Sequence, residues 1–326
     1  MSTTAVQAAS DVPGTSLVLG GRGFIGSHLI EALLARGERV RCFDRPNVIP
    51  LGRSLREEPN FKLFEGDLAN DSEIAAALEG CDVCYHLVST TLPKSSNADP
   101  VYDIETNLVS TVKLLNQCVT MGVKKVVFSS SGGTVYGNPL KTPIDESHPV
   151  NPVCSYGITK LAIEKYLELF RELHGLDYTV LRIANPFGER QRTHASQGAV
   201  AVFMGKVLRG ETVDIWGDGS VVRDYIYISD VIESFTLAAS QRDGQRIFNI
   251  GSGQGQNINE ILDAIGRVTG LSVARHYLPG RPFDVPISVL AIDQARASLG
   301  WSPKTKFEDG LRRYSDWLKL NPAEYA

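Results

Sequence analysis

An α/β fold is predicted for this chain: a doubly wound parallel sheet carrying a smaller C-terminal lobe. Three observations carry the expectation. Short apolar runs alternate with helical patterns as far as Ile183, a glycine-rich turn joins the first run to the first helix, and no repeat or low-complexity linker sets the second half apart.

The elements follow in order. Leu17–Leu19 reads as a strand and Phe24–Arg36 as a helix. Arg39–Phe43 and Phe61–Glu65 are further strands, with a helix over Asp71–Leu78. Val83–Val88 is a fourth strand. A single long helix runs from Tyr102 to Met121 and closes on Gly122. Lys125–Ser130 is a strand, Tyr156–His174 a long helix closed by Gly175, and Tyr178–Ile183 a sixth strand. Beyond it the pattern loosens. Asn185–Gly198 reads as a loop, Val200–Leu208 as a helix, Trp216–Gly219 as turn chemistry, Tyr225–Ile228 as a strand and Ser229–Ala239 as a helix. Phe248–Ile250 is a short strand, Asn259–Thr269 a helix, and the proline-bearing stretch Tyr277–Pro286 a loop.

The length of 326 residues exceeds one ordinary domain of about 100–200 residues, so one large or two intimate domains are expected. With 43% hydrophobic and 21% charged residues the chain can build a large core. A net charge of -4 offers no footprint for nucleic acid or an anionic membrane. The histidines lie scattered, without metal-ligand spacing. Five cysteines, an odd number, do not form a disulfide framework, and Cys84 of the lone C-x-x-C lies within an apolar run. Reduced, buried thiols in a cytoplasmic protein are the reading. Residues 1–15 lack the basic start and apolar core of a secretory signal and are expected to be disordered. No apolar run reaches the ~18 residues that membrane insertion needs.

Gly20-Gly-Arg-Gly23-Phe-Ile-Gly26 lies between the first strand and the first helix. Glycines there let the backbone turn tightly and approach a pyrophosphate, whose charge rests on the helix N-terminus. Asp44 ends the second strand, where a carboxylate can hold the ribose hydroxyls of NAD and repel the extra phosphate of NADP. Arg45 beside it is able to accommodate that phosphate, so NAD is favoured over NADP on Asp44 alone. Asp67 and Leu68, after the third strand, are candidates for adenine contact.

Tyr156-Gly-Ile-Thr-Lys160 puts a phenol and an ammonium on one helical face. A phenol titrates near pH ~10 and is a poor base at neutrality. A neighbouring ammonium favours the phenolate, which can then take a hydroxyl proton while hydride leaves the same carbon. The fifth strand ends in Ser129-Ser-Ser131-Gly-Gly-Thr134-Val-Tyr-Gly, and hydroxyls at that end of a parallel strand face the ligand crevice.

In order and spacing, these segments resemble the extended short-chain dehydrogenase/reductase family, and within it the UDP-glucose 4-epimerase branch. The resemblance spans about Ser16 to Leu318. It also includes YHLV at Tyr85–Val88, LRIANPFG at Leu181–Gly188, VRDYIYISDV at Val222–Val231, FNIGSG at Phe248–Gly253 and RPFDVP at Arg281–Pro286. It implies a Rossmann-type cofactor domain over residues 16–187 plus about 224–251. A nucleotide-sugar lobe would cover about 188–223 plus 252–326. It implies tightly bound NAD, with Tyr156 as base and Lys160 as its electrostatic partner and ribose ligand. Phe24, Ile25, Leu87, Ser89 and Ser129 would also border the cofactor, and Asn107 would support the site from within. Asn185, Arg223, Arg281 and Asp284 would meet the UDP-sugar, and the small Ser288 would leave room for an N-acetylated sugar. Homodimers built on the two long helices are a further implication.

The chain departs from the family at Gly132, which stands where an active-site hydroxyl is usual, so Ser131 or Thr134 must supply it. Nucleotide-sugar dehydratases carry an Asp-Glu pair where this chain has Gly133 and Thr134, and decarboxylases usually hold a glutamate there. A non-catalytic NAD-binding regulator on the same fold tends to lose the tyrosine or lysine, and both are kept here.

Overall fold

The computed structural model describes residues 14–48, 55, 57–194, 197–242, 244–280 and 285–325. The first half comprises β1 (Thr15–Leu19), α1 (Phe24–Ala35), β2 (Arg39–Asp44), β3 (Phe61–Glu65), α2 (Asp71–Leu78) and β4 (Val83–His86). It continues with α3 (Pro93–Ser96), α4 (Pro100–Asp103), a π-helical segment (Ile104–Val109), α5 (Ser110–Thr120), β5 (Lys125–Ser131), α6 (Ser155–His174) and β6 (Asp177–Ile183). The second half holds β7 (Asn185–Phe187), α7 (Ala199–Leu208), β8 (Val213–Trp216), β9 (Val222–Tyr227), α8 (Ile228–Ser240), β10 (Ile247–Ile250) and β11 (Gly255–Asn257). Then come α9 (Ile258–Thr269), β12 (Arg275–Leu278), β13 (Ile287–Ser288), α10 (Asp293–Leu299) and α11 (Phe307–Leu320).

Seven strands form one parallel sheet in the order β10-β6-β5-β4-β1-β2-β3. Alternate residues feed opposite faces. Leu17, Leu19, Val126 and Phe128 pack with α5 and α6, whereas Val18 and Val127 pack with α1 and α8. Burial on both faces explains why these strands read as continuous apolar runs. Strand order reverses between β1 and β4, the topological switch point at which α/β sheets open a ligand crevice. The second core continues through α7, β8, β9, α9 and α11, so the C-terminal elements share the sheet's interior.

Several expectations need correction. The helix expected over Tyr102–Met121 is continuous but not α-helical throughout: the Ser110 amide donates to Glu105 O, five residues back, so Ile104–Val109 is π-helical. A π-turn of this kind re-aims one side chain, here that of Asn107, which is buried. The strand expected to reach Val88 ends at His86. The loop expected over Asn185–Gly198 begins with β7, whose pairing with β9 gives it backbone partners. The loop expected from Tyr277 starts inside β12, which pairs with β8. Of the N-terminus expected to be disordered, residues 1–13 lie outside those described and Thr15 already belongs to β1.

Candidate active site

Two cavities flank the switch point. Gly20, Gly23, Asp44, Asp67, Leu68, Leu87 and Ser89 line the first, of about 500 Å³. Phe24, Ile25, Ser129, Ser131, Thr134 and Tyr156 line the second, of about 390 Å³, where Asn185 and Arg223 join them from the second half. A third cavity, of about 810 Å³ between β9, α9 and α11, is lined by none of the candidate residues. Arg281 and Asp284 lie outside the described residues.

The first cavity fits a dinucleotide. At Gly26 a Cβ would stand 2.3 Å from Gly20 O, so only glycine lets α1 begin this close to β1. Gly23 precedes α1 without a side-chain cap, and the first turn of α1 holds no acidic residue. By contrast, Asn70 and Asn257 cap α2 and α9. Amides left uncapped at a helix start are donors for a phosphate. The Asp44 carboxylate is oriented by the Arg22 amide (2.9 Å) and the Arg45 amide (2.8 Å). The Arg22 guanidinium pairs with Glu65 at 2.6 Å and donates to the Arg45 carbonyl at 3.1 Å, stapling the glycine turn to β2 and β3. Sequence reasoning passed over Arg22, because its partners come from other strands.

Tyr156 sits in the first turn of α6. Its amide donates to Ser96 Oγ (3.0 Å) and the Ser155 amide to Asn97 Oδ1 (2.9 Å), so α3 and the residue after it cap the helix that presents the phenol. Lys160 is buried, with Nζ donating to the Ser129 carbonyl at 2.9 Å and standing 5.6 Å from the Tyr156 ring centre. Burial lowers Lys160 to about 8, with Asp103 and Glu164 acting the other way. Burial pushes Tyr156 up to about 12, helped by Cys154 and Asp103. The protein alone therefore keeps a neutral phenol beside a lysine that gives up its proton readily. A further positive charge is what the phenol needs to become a base.

The missing hydroxyl at Gly132 has a packing cause. A Cβ there would come within 2.5 Å of Leu290 Cδ1 and 3.0 Å of Arg182 O. Gly157 likewise admits the Thr134 carbonyl, 2.9 Å from where its Cβ would be. Thr134 Oγ1 is sealed from solvent and has no partner among the described residues. Ser131 is half-buried on the cavity wall.

Asn107 and Ser288 are buried behind these surfaces. Asn107 accepts from the Thr90 amide (2.9 Å) and donates to Thr90 Oγ1 (2.8 Å), fixing the loop that borders the first cavity. Ser288 of β13 pairs with Arg223 of β9, whose Nη1 donates to the Val285 carbonyl at 2.6 Å. The Asn185 amide donates to the Asp224 carbonyl at 2.9 Å. Among the described residues no cluster suits a metal ion, and no helix is long and apolar enough to cross a membrane. Cys81 and Cys84 are buried free thiols, and burial pushes Cys81 up to about 11.

A parallel sheet with an uncapped glycine turn at its switch point, and a tyrosine on the next cavity wall with a lysine buried beneath it, defines a Rossmann-type protein equipped for dinucleotide-dependent chemistry. Sequence comparison narrows the class: the profile of the NAD dependent epimerase/dehydratase family matches residues 16–251, and the chain belongs to that family. The UDP-glucose 4-epimerase of Mycolicibacterium smegmatis is 35% identical over 311 residues, covering 93% of this chain and 98% of the relative. The crystal structure of the Thermotoga maritima UDP-glucose 4-epimerase with UDP-glucose superposes with a TM-score of 0.88 at 36% identity, covering 94% of this chain and 99% of that one. The UDP-N-acetylglucosamine 4-epimerase of Methanobrevibacter ruminantium M1, solved with UDP-N-acetylmuramic acid, gives a TM-score of 0.88 at 31% identity, covering 95% and 99%.

Proposed function

We propose that this protein inverts C4 of a UDP-hexose through a transient 4-keto sugar. The observation that carries the reading is the placement of Tyr156 and Ser131 on one cavity wall with Arg223, while Lys160 lies beneath them. Bound NAD supplies the hydride acceptor and, on the return, the donor, together with a positive charge beside the phenol. Tyr156 takes the 4-hydroxyl proton and later returns it. Lys160 favours the phenolate, and Ser131 carries the hydroxyl that steadies the sugar oxygen, because Thr134 Oγ1 is closed off. Asn185, Arg223 and Arg281 hold the diphosphate, and Asp284 the uridine ribose, while the keto sugar turns over. Since no net oxidation occurs, the cofactor stays bound through turnover.

Residues 16–187 with about 224–251 form the cofactor domain in this reading, and about 188–223 with 252–326 the nucleotide-sugar lobe. No carboxylate lines the Tyr156 cavity among the described residues, which speaks against acid/base loss of water. The small Ser288 supports acceptance of N-acetylhexosamines. Ser288→Tyr is expected to impair them more than UDP-hexoses; equal impairment removes that argument. Homodimerisation is supported by apolar residues left exposed on the two helical segments: Val101, Ile104 and Val109, facing out as do Ile158, Leu169 and Leu173. Leu115, by contrast, is buried on the chain's own sheet. Proton NMR of purified protein with UDP-glucose, UDP-N-acetylglucosamine and UDP-glucuronate, without added NAD, tests the proposal. C4 inversion is expected; water loss or carbon dioxide release instead overturns it.

A further inference from the structure

Asp103, the last residue of α4, is fully buried. Among the described residues, every hydrogen bond to its carboxylate comes from an uncharged group. Oδ1 accepts from Thr91 Oγ1 and from Asn107 Nδ2 (3.0 Å). Oδ2 accepts from Ser155 Oγ (2.7 Å) and Thr159 Oγ1 (2.7 Å). One oxygen thus grips the loop that borders the cofactor cavity and the π-helical segment, while the other grips α6 on either side of Tyr156. A buried carboxylate is retained only where donors or charges compensate it. Here the donors satisfy its lone pairs and leave its charge unpaired.

The second buried charge nearby is Lys160, whose ammonium has only the Ser129 carbonyl as a hydrogen-bond acceptor among the described residues. Two carboxylates act on it, Asp103 and Glu164. Glu164 is already met by Arg182 at 2.6 Å. Asp103 is therefore the anion whose field is left for the lysine.

We propose that Asp103 is a positioning residue for the reaction: it holds the first turn of α6 at a set distance from the cofactor loop, and its charge balances that of buried Lys160. The inference rests on the reading of Tyr156 as the base. It assigns work to a residue that touches neither cavity.

Two variants separate the tether from the charge. In Asp103→Asn the amide oxygen can still accept from Asn107 and Thr91, and the new N–H₂ can donate to Ser155 and Thr159 once their hydroxyls rotate, so the connections persist without the charge. In Ser155→Ala/Thr159→Val the charge persists and the grip on α6 is lost. Both are assayed for C4 inversion together with UDP affinity, retained NAD and melting temperature. Both are expected to lower kcat, the double variant by up to about 10²-fold as a misplaced base would, with KM, UDP affinity and retained NAD unchanged. If kcat, KM and NAD retention all fall in step with the melting temperature, Asp103 is merely structural and the proposal is overturned. Wild-type kcat in both variants, with Tyr156→Phe inactive, overturns it while the catalytic reading stands. Should Tyr156→Phe itself turn over normally, the catalytic reading fails first and takes this inference with it.

Discussion

Helix α6 is fastened at two levels by a buried carboxylate, and the two fastenings are built on different principles. Ahead of Lys160, Asp103 is held by neutral donors. One turn behind it, Glu164 accepts from Arg182 Nη2 (2.6 Å) and Nε (3.1 Å) and from Ser130 Oγ (2.5 Å). Arg182 continues to the Tyr136 hydroxyl (2.9 Å), which donates to Asn249 (2.7 Å). The rear fastening cancels its own charge and ties α6 to β5, β6 and β10. The front one is met by neutral donors and ties α6 to the loop beside the first cavity and to the π-helical segment. On the proposal made for Asp103, a carboxylate buried to a similar depth serves cohesion in one place and positioning in the other, and what differs is whether its partners are charged.

Four experiments bear on that contrast. Tyr156→Phe, at the front, is expected to cut kcat on the order of 10³-fold, as loss of a general base does, while the unfolding midpoint stays near wild type; substantial residual turnover sinks the mechanism. At the rear, Arg182→Met leaves Glu164 buried without its cation and is expected to destabilise the fold by about 3–5 kcal/mol. Denaturant titration reads this, and a large loss of kcat in protein that is still folded would blur the division between the two levels. Ser131→Ala is expected to lower kcat about tenfold, and Thr134→Val hardly at all; the reverse ranking would mean that the turn rearranges when substrate arrives.

The smallest effect concerns pH. Lys160 titrates near 8 in the fold against 10.5 for an ordinary lysine. Between those values the unfolded chain binds more protons than the folded one, so cofactor-free protein should gain stability as pH rises from about 8. Tyr156 acts oppositely above its ordinary value of 10.0, because the fold keeps its proton up to about 12. Lys125 is likewise lowered to about 8 by burial and acts in the same sense, so urea midpoints across this range should rise and then fall for the wild type, and Lys160→Met should lose only part of the rise. An unchanged rise in that variant would mean that Lys160 does not contribute.

How much was legible in the sequence follows from where each partner lies. β3 and α2 were bounded correctly, although β3 is a largely exposed edge strand; for α2 the Asn70 cap is a local signal. Tyr156 and Lys160 were legible because four-residue spacing on a helix is itself geometric. Asp103, Arg22 and the π-turn were not, since their roles are set by residues brought in from other elements. In the second half, β11 and β13 are too short for alternation to register. α11 is different: Leu311, Tyr314 and Leu318 have helical spacing and are buried, so the signal was present and went unread. The same holds for α10, although it is short.

Gly132 and Leu290 form a lock between two distant parts of the chain. The stretch matched by the family profile contains the glycine but ends at residue 251, before the leucine. Leu290 is itself seated by its amide on Asp224 (3.3 Å) and by a bridge to Ile144. Chimaeras that graft a relative's final quarter onto this chain, or this one onto a relative, must therefore exchange position 132 along with it. A side chain brought in at 132 against Leu290 would splay the turn that carries Ser131, and a smaller residue at 290 would leave a hole behind it.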